Sequence, residues 1–144
     1  MRFPALFAAP LLLLGVSQSH ARNGEEAWSA LSTTAISITG DIVLSPTRLQ
    51  AGGADFPLKV AADVRRFRAF DKPVGARVLQ VTRSMNPVLL NGNTLCGGRA
   101  RPRWIAVWRE DAGKTLTMAV FAGAKMPMAT DDAGACGTFS YIRY

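Results

Sequence analysis

From residue 35 onward, apolar and polar positions mostly alternate with period two, in short runs separated by turn residues, which is a strand pattern. Ala35–Leu44 sets Ile36 and Ile38 on one face, and Gly40-Asp41 interrupts it before Ile42 and Leu44, predicting a hairpin or a sharply bent strand. Ser45-Pro46-Thr47 and Gly52-Gly53 are turn sequences around a short extended piece, Arg48–Gln50, and Phe56–Val60 follows. In Asp63–Phe70, Val64, Phe67 and Phe70 lie three apart, which fits either a helical turn or an irregular strand. Ala76–Thr82 puts Val78 on one face and Arg77, Leu79 and Val81 on the other, and Asn91-Gly92-Asn93 is a turn signal.

The plainest supersecondary unit is a hairpin. Arg103–Arg109 and Thr115–Phe121 are both strand-like, and Glu110–Lys114 joins them with glycine where a left-handed residue is wanted. Gly137–Tyr144 is a last alternating strand, with Phe139, Tyr141 and Arg143 on one face. One stretch departs from period two. In Gly24–Ser32, Ala27, Trp28 and Leu31 fall at helical spacing, so a short N-terminal helix is expected, docked through Trp28. About eight short strands with glycine-rich turns predict a mainly β fold, a small antiparallel β-barrel or sandwich carrying that helix and one disulfide.

Both faces of Arg103–Arg109 are apolar, Trp104, Ala106 and Trp108 on one and Ile105 and Val107 on the other. A simple barrel strand needs one such face. The second must be covered, most simply by the Trp28 helix, otherwise by a ligand in a cavity or by a partner.

The N-terminus changes the chemistry available. Arg2 precedes an apolar run, Phe3–Val16, and Ser19 and Ala21 supply the small residues of a signal-peptide cleavage site. The run is short for a membrane span and is interrupted by Pro4, Pro10 and Gly15. Residues 1–21 therefore read as a signal peptide and 22–144 as one barrel domain, periplasmic or secreted in destination and not an integral membrane protein. No cysteine lies near the cleavage point for lipid attachment. Cleavage removes His20, the single histidine, and with it Ser-His-Asp, Cys-His and histidine-metal chemistry. No cofactor or metal is implied.

Cys96 and Cys136 are the two cysteines, and in an oxidising compartment an even pair reads as a disulfide. It would pin the entrances of two strands at one rim. Glu110-Asp111 and Asp131-Asp132 sit in predicted loops, where adjacent acids serve turns more readily than a glycosidase pair. Met126-Pro-Met128 is a packing or loop sequence before it is a copper(I) site.

The formal charge of +7 falls by one unit when Arg2 leaves, and arginine dominates it. Arg65-Arg66-Phe67-Arg68 and Arg99-Ala-Arg101-Pro-Arg103-Trp104 interleave arginine with aromatics. In an exported chain this composition points away from nucleic acid and toward an anionic envelope component or another envelope protein. The candidate binding residues are Arg99, Arg101, Arg103, Trp104 and Trp108, with a solvated arginine rim over the tryptophans as the plainer alternative. The run SITGDIVLSPTRLQAGG, residues 37–53, with the later cysteine pair, resembles small lipocalin-like or META-type β-barrel proteins of the Gram-negative envelope. That resemblance implies a non-enzymatic barrel that binds a ligand or protein, and it transfers no functional residue. The expected function is an exported binding protein for an anionic or amphipathic ligand or a protein partner. The alternative is an inhibitor or chaperone-like partner of an envelope hydrolase.

Overall fold

The computed structural model describes residues 24–144; the signal peptide expected over residues 1–21 lies outside the described residues. Eight strands form one closed antiparallel barrel in sequence order: β1 (Glu26–Ala30), β2 (Ile42–Ser45), β3 (Arg48–Ala51), β4 (Ala54–Ala69), β5 (Lys72–Val81), β6 (Trp104–Glu110), β7 (Thr115–Phe121) and β8 (Ala135–Ile142). Closure is made by β1, which pairs with β2 through Glu26–Trp28 and with β8 through Ser29 and Ala30. Between barrel and sandwich, the chain is a barrel. The β6–β7 hairpin and β8 form where the alternation predicts them.

Two segments differ from the sequence expectation. Gly24–Ser32 holds strand β1 rather than a helix, because Trp28 pairs opposite Ile42 and points into the core. In so short a segment, pairing on both edges outweighs a weak helical spacing. Ala35–Thr39 is one π-helical turn instead of strand, leaving Ile36 exposed. The Thr39 hydroxyl donates to the Ala35 carbonyl (3.1 Å), and Gly40, at φ 61°, turns the chain into β2. At Gly52-Gly53 a two-residue hairpin loop needs positive φ at both positions, and the values are 55° and 82°.

Inward-facing side chains fill the barrel, including Trp28, Leu49, Phe56, Leu79, Ile105, Met118, Phe139 and Tyr141. One end is plugged by the π-helical turn and by the long 82–103 loop, which sends Leu89 and Leu95 into this core. Asn91 and Asn93 donate to the Ser37 carbonyl (3.0 and 3.2 Å), tying the two plugging segments together. The Cys96–Cys136 disulfide is formed. Since Cys136 lies within β8 and β7 stands between β6 and β8, the bond fastens the plug loop to the barrel wall rather than joining neighbouring strand entrances.

The outer faces of β5, β6 and β7 are also apolar, and they make a second core of Ala76, Val78, Ala106, Trp108, Ala119 and Phe121. Its cover is not an N-terminal helix. Register shifts at Val60/Ala62 and Val64/Phe67 bend the far half of the β4–β5 hairpin, and Phe67 lands against Trp108 with ring centroids 5.7 Å apart. The three-residue spacing of Val64, Phe67 and Phe70 is thus that of an irregular strand. The 122–134 loop braces this flap: Arg68 N–H donates to the Met128 carbonyl (3.0 Å), Thr130 N–H to the Arg68 carbonyl (2.9 Å), and Arg68 pairs with Asp131.

Candidate functional site at the open end of the barrel

At the end opposite the plug, the inward-facing positions change from apolar to charged. Glu26 follows Trp28 up β1, Arg77 follows Leu79 on β5, Arg109 follows Val107 on β6, and Arg143 follows Tyr141 beyond β8. Asp63 of β4 stands opposite Arg77 in the ladder. These positions form a charged collar above an apolar floor of Leu44, Leu79, Val107 and Leu116. The space between them is an open cavity of about 610 Å³. Trp28, Phe56, Phe139 and Tyr141 fill the barrel below, so the cavity is a cup and not a channel.

The collar is arranged by ion pairs. Arg109 and Arg143 both engage Glu26, the latter at 3.7 Å. Their guanidinium carbons lie 5.8 and 4.7 Å from the centroid of the buried Trp28 ring, whose Nε1–H donates to Glu26 (3.3 Å). Cations stacked on an indole are stabilised by its quadrupole, so Trp28 acts as a platform that orients both arginines. Arg77 grips Asp63 through two bonds, 2.8 and 3.2 Å, and this hydrogen bonding holds the Asp63 carboxyl below the usual carboxylate range. Arg65, from the bulged part of β4, also lines the cup and has no acidic partner among the described residues. Four arginines thus face two carboxylates, and the collar carries surplus positive charge.

The structure separates the residues singled out from sequence. Trp108 is 3% exposed in the outer core, its Nε1–H donating to Glu110 (3.3 Å). Trp104 is half-buried and donates to the Gly123 carbonyl (3.1 Å). Arg101, Arg103 and Trp104 share a second, polar groove near the plugged end with Arg83, while Arg99 lies exposed on the adjoining loop. Trp108 therefore stands apart from Arg99, Arg101 and Arg103, and its edge borders the open-end cavity beside Arg65, Arg77 and Arg109. Asp131 serves Arg68, and Asp132 accepts the backbone N–H groups of Met128 and Ala129 (2.7 and 3.1 Å).

Of the collar residues only Arg65 stands out in the sequence, within the Arg65–Arg68 cluster, although part of the signal for the rest is present. Alternation already sets Arg77 on the face of Leu79 and Arg143 on the face of Tyr141. What it lacks is barrel closure, which brings those two ends to one rim. Compared with protein-family models, curated proteins and solved structures, the chain matches none, and its reading rests on its own geometry.

Proposed function

We propose that the chain is an exported, non-enzymatic binding protein of the cell envelope whose open barrel end takes a small anionic amphiphile. The observation that carries this is the cup: an apolar floor under a collar with more arginine than carboxylate. Its volume lies in the range of small-molecule sites, and its few convergent polar groups sit on strands rather than on loops. The filled interior beneath it favours a short apolar tail over a long acyl chain. The apolar leader and the Cys96–Cys136 bond support export to an oxidising compartment. Turnover finds little support, since residues 22–144 contain no histidine and the mouth carboxylates are committed to arginines.

Isothermal titration with octanoate, octanol and octylammonium tests the reading. Octanoate is expected to bind most tightly, and Arg65→Ala to weaken it about tenfold, the loss of one charge-assisted contact. Equal affinity for all three probes, or no octanoate binding at millimolar concentration, would overturn it.

A further inference from the structure

The plugged end carries features that neither folding nor the cup uses. Of the eight large apolar side chains left exposed on the described residues, four flank or belong to the two plugging segments: Leu31, Ile36, Val88 and Leu90. Ile36 is 57% and Val88 68% exposed. Their backbones are held in place, since Asn91 and Asn93 bind Ser37, and the disulfide anchors the same loop. Fixed apolar residues presented to water at one end of a barrel form a surface in search of cover.

The charge on the plug loop has one sign. From Lys72 to Arg109 the chain contains no aspartate or glutamate, and Arg83, Arg99, Arg101 and Arg103 fall in this stretch. None of these four makes an ion pair among the described residues. Arg101 instead donates to Ser84 (2.7 Å), and Asn86 donates to the Gly98 carbonyl (2.9 Å), joining the two arms of the loop. Arg83, Arg101 and Arg103 line a groove of about 560 Å³ beside Trp104. The nearby carboxylate of Asp41 is exposed and accepts the Ala30 N–H (2.9 Å), so it offsets only a small part of this charge.

We propose that this end of the barrel docks on an anionic phospholipid surface. Ile36, Val88 and Leu90 enter the headgroup boundary, and Arg83, Arg99, Arg101 and Arg103 meet lipid phosphates. Exposed apolar side chains on the same plugging segments as four unpaired arginines are what such a surface selects: burial supplies depth, and charge supplies preference for anionic lipid. A soluble polyanion would use the arginines but leave Ile36 and Val88 without a role.

Co-sedimentation of the disulfide-intact protein with vesicles tests this, using phosphatidylglycerol–phosphatidylcholine (3:7) and pure phosphatidylcholine at 0.1 M salt. Partitioning into the anionic vesicles alone is expected. The Arg99→Ala/Arg101→Ala/Arg103→Ala variant should lose roughly 100-fold, about fivefold per cation. The Ile36→Ser/Val88→Ser variant should lose at least tenfold, and Arg65→Ala, at the other end, should change nothing. All these side chains are exposed, and near-ultraviolet circular dichroism checks that each variant folds. No partitioning into anionic vesicles, equal partitioning into both kinds, or full retention by Ile36→Ser/Val88→Ser would overturn the proposal. The last result would mark a site for soluble polyanions. The octanoate titration is independent of all these outcomes.

Discussion

Phe67→Ala tests whether the outer core is part of the cooperative fold. Phe67 is fully buried, packs on Trp108 at 5.7 Å, and belongs to a flap that covers β6 and β7 with only Met126 added from the 122–134 loop among the described residues. Truncation removes the transfer free energy of the ring, leaves a cavity between two sheet layers, and forfeits the aromatic pair. Together these cost about 3–5 kcal/mol. In a domain of this size that is a large part of the total stability and lowers the melting temperature by roughly 10–20 °C. Urea unfolding followed by tryptophan fluorescence measures it, with exposed Arg66→Ala as the reference. The same flap carries Asp63 and Arg65, so octanoate affinity should fall in the folded Phe67→Ala protein. A stability loss under 1 kcal/mol would refute the reasoning, because it would mean the flap contributes nothing to the global equilibrium.

Four further outcomes follow from named contacts. Removing the disulfide with a Cys96→Ser/Cys136→Ser variant should cost about 4 kcal/mol for a closed loop of this length, read in urea unfolding. Tyr141 and Thr39 hydroxyls lie 2.8 Å apart, and Thr39 is already a donor to Ala35, so the phenol donates; Thr39→Val should cost about 1–3 kcal/mol by stranding it, and Tyr141→Phe only about 1. Burial raises the Tyr141 phenol well above its ordinary value. The unfolded chain therefore releases this proton first, so stability is level below about pH 10 and falls above it. In a Tyr144→Phe variant, phenolate absorbance should appear only with unfolding. Gly134→Ala should unfold or severely destabilise the protein, since φ is 83° and a Cβ would sit 2.3 Å from the Gly123 nitrogen; thermal melts would show this.

Much of the fold follows from local pattern. The Gly113 loop, the β6–β7 hairpin and the inward set Phe139 and Tyr141 all come from period two, because alternation states which side chains share a face. Helix against strand at Trp28 was decided by partners distant in sequence, Ile42 and Ile142, which no short window contains. The π-helical turn at Ala35–Thr39 is a similar case. Its isoleucines look strand-forming, but Ala35 and Thr39 are the buried pair, held by a hydroxyl bond within the turn and by Tyr141. The doubly apolar strand around Trp108 correctly demanded a cover. Of the two bulges that supply it, one just precedes DVRRFRAF and the other lies within it, where a three-residue rhythm alone does not separate helix from irregular strand.

The site was harder to see for a reason that belongs to barrels. Period two assigns a residue to the inside or the outside, but function depends on its height along the axis. Alternation puts Arg77 on the face of Leu79 and Val81 and Arg143 on the face of Phe139 and Tyr141, where an arginine looks like an interruption. Height resolves the conflict, because each lies at the end of its inward row where the guanidinium reaches solvent and the stem still covers apolar floor. Height also divides the remaining cations. Arg83, Arg101 and Arg103 lie at the plugged end, and Arg65, Arg77, Arg109 and Arg143 at the open one. The collar cations are mostly paired and stacked over a cup, whereas those of the plug have no acidic partner among the described residues and share a loop with exposed Val88. One basic chain thus presents two chemically different ends, a paired and stacked collar over an apolar cup at one and unpaired arginines with exposed apolar side chains at the other.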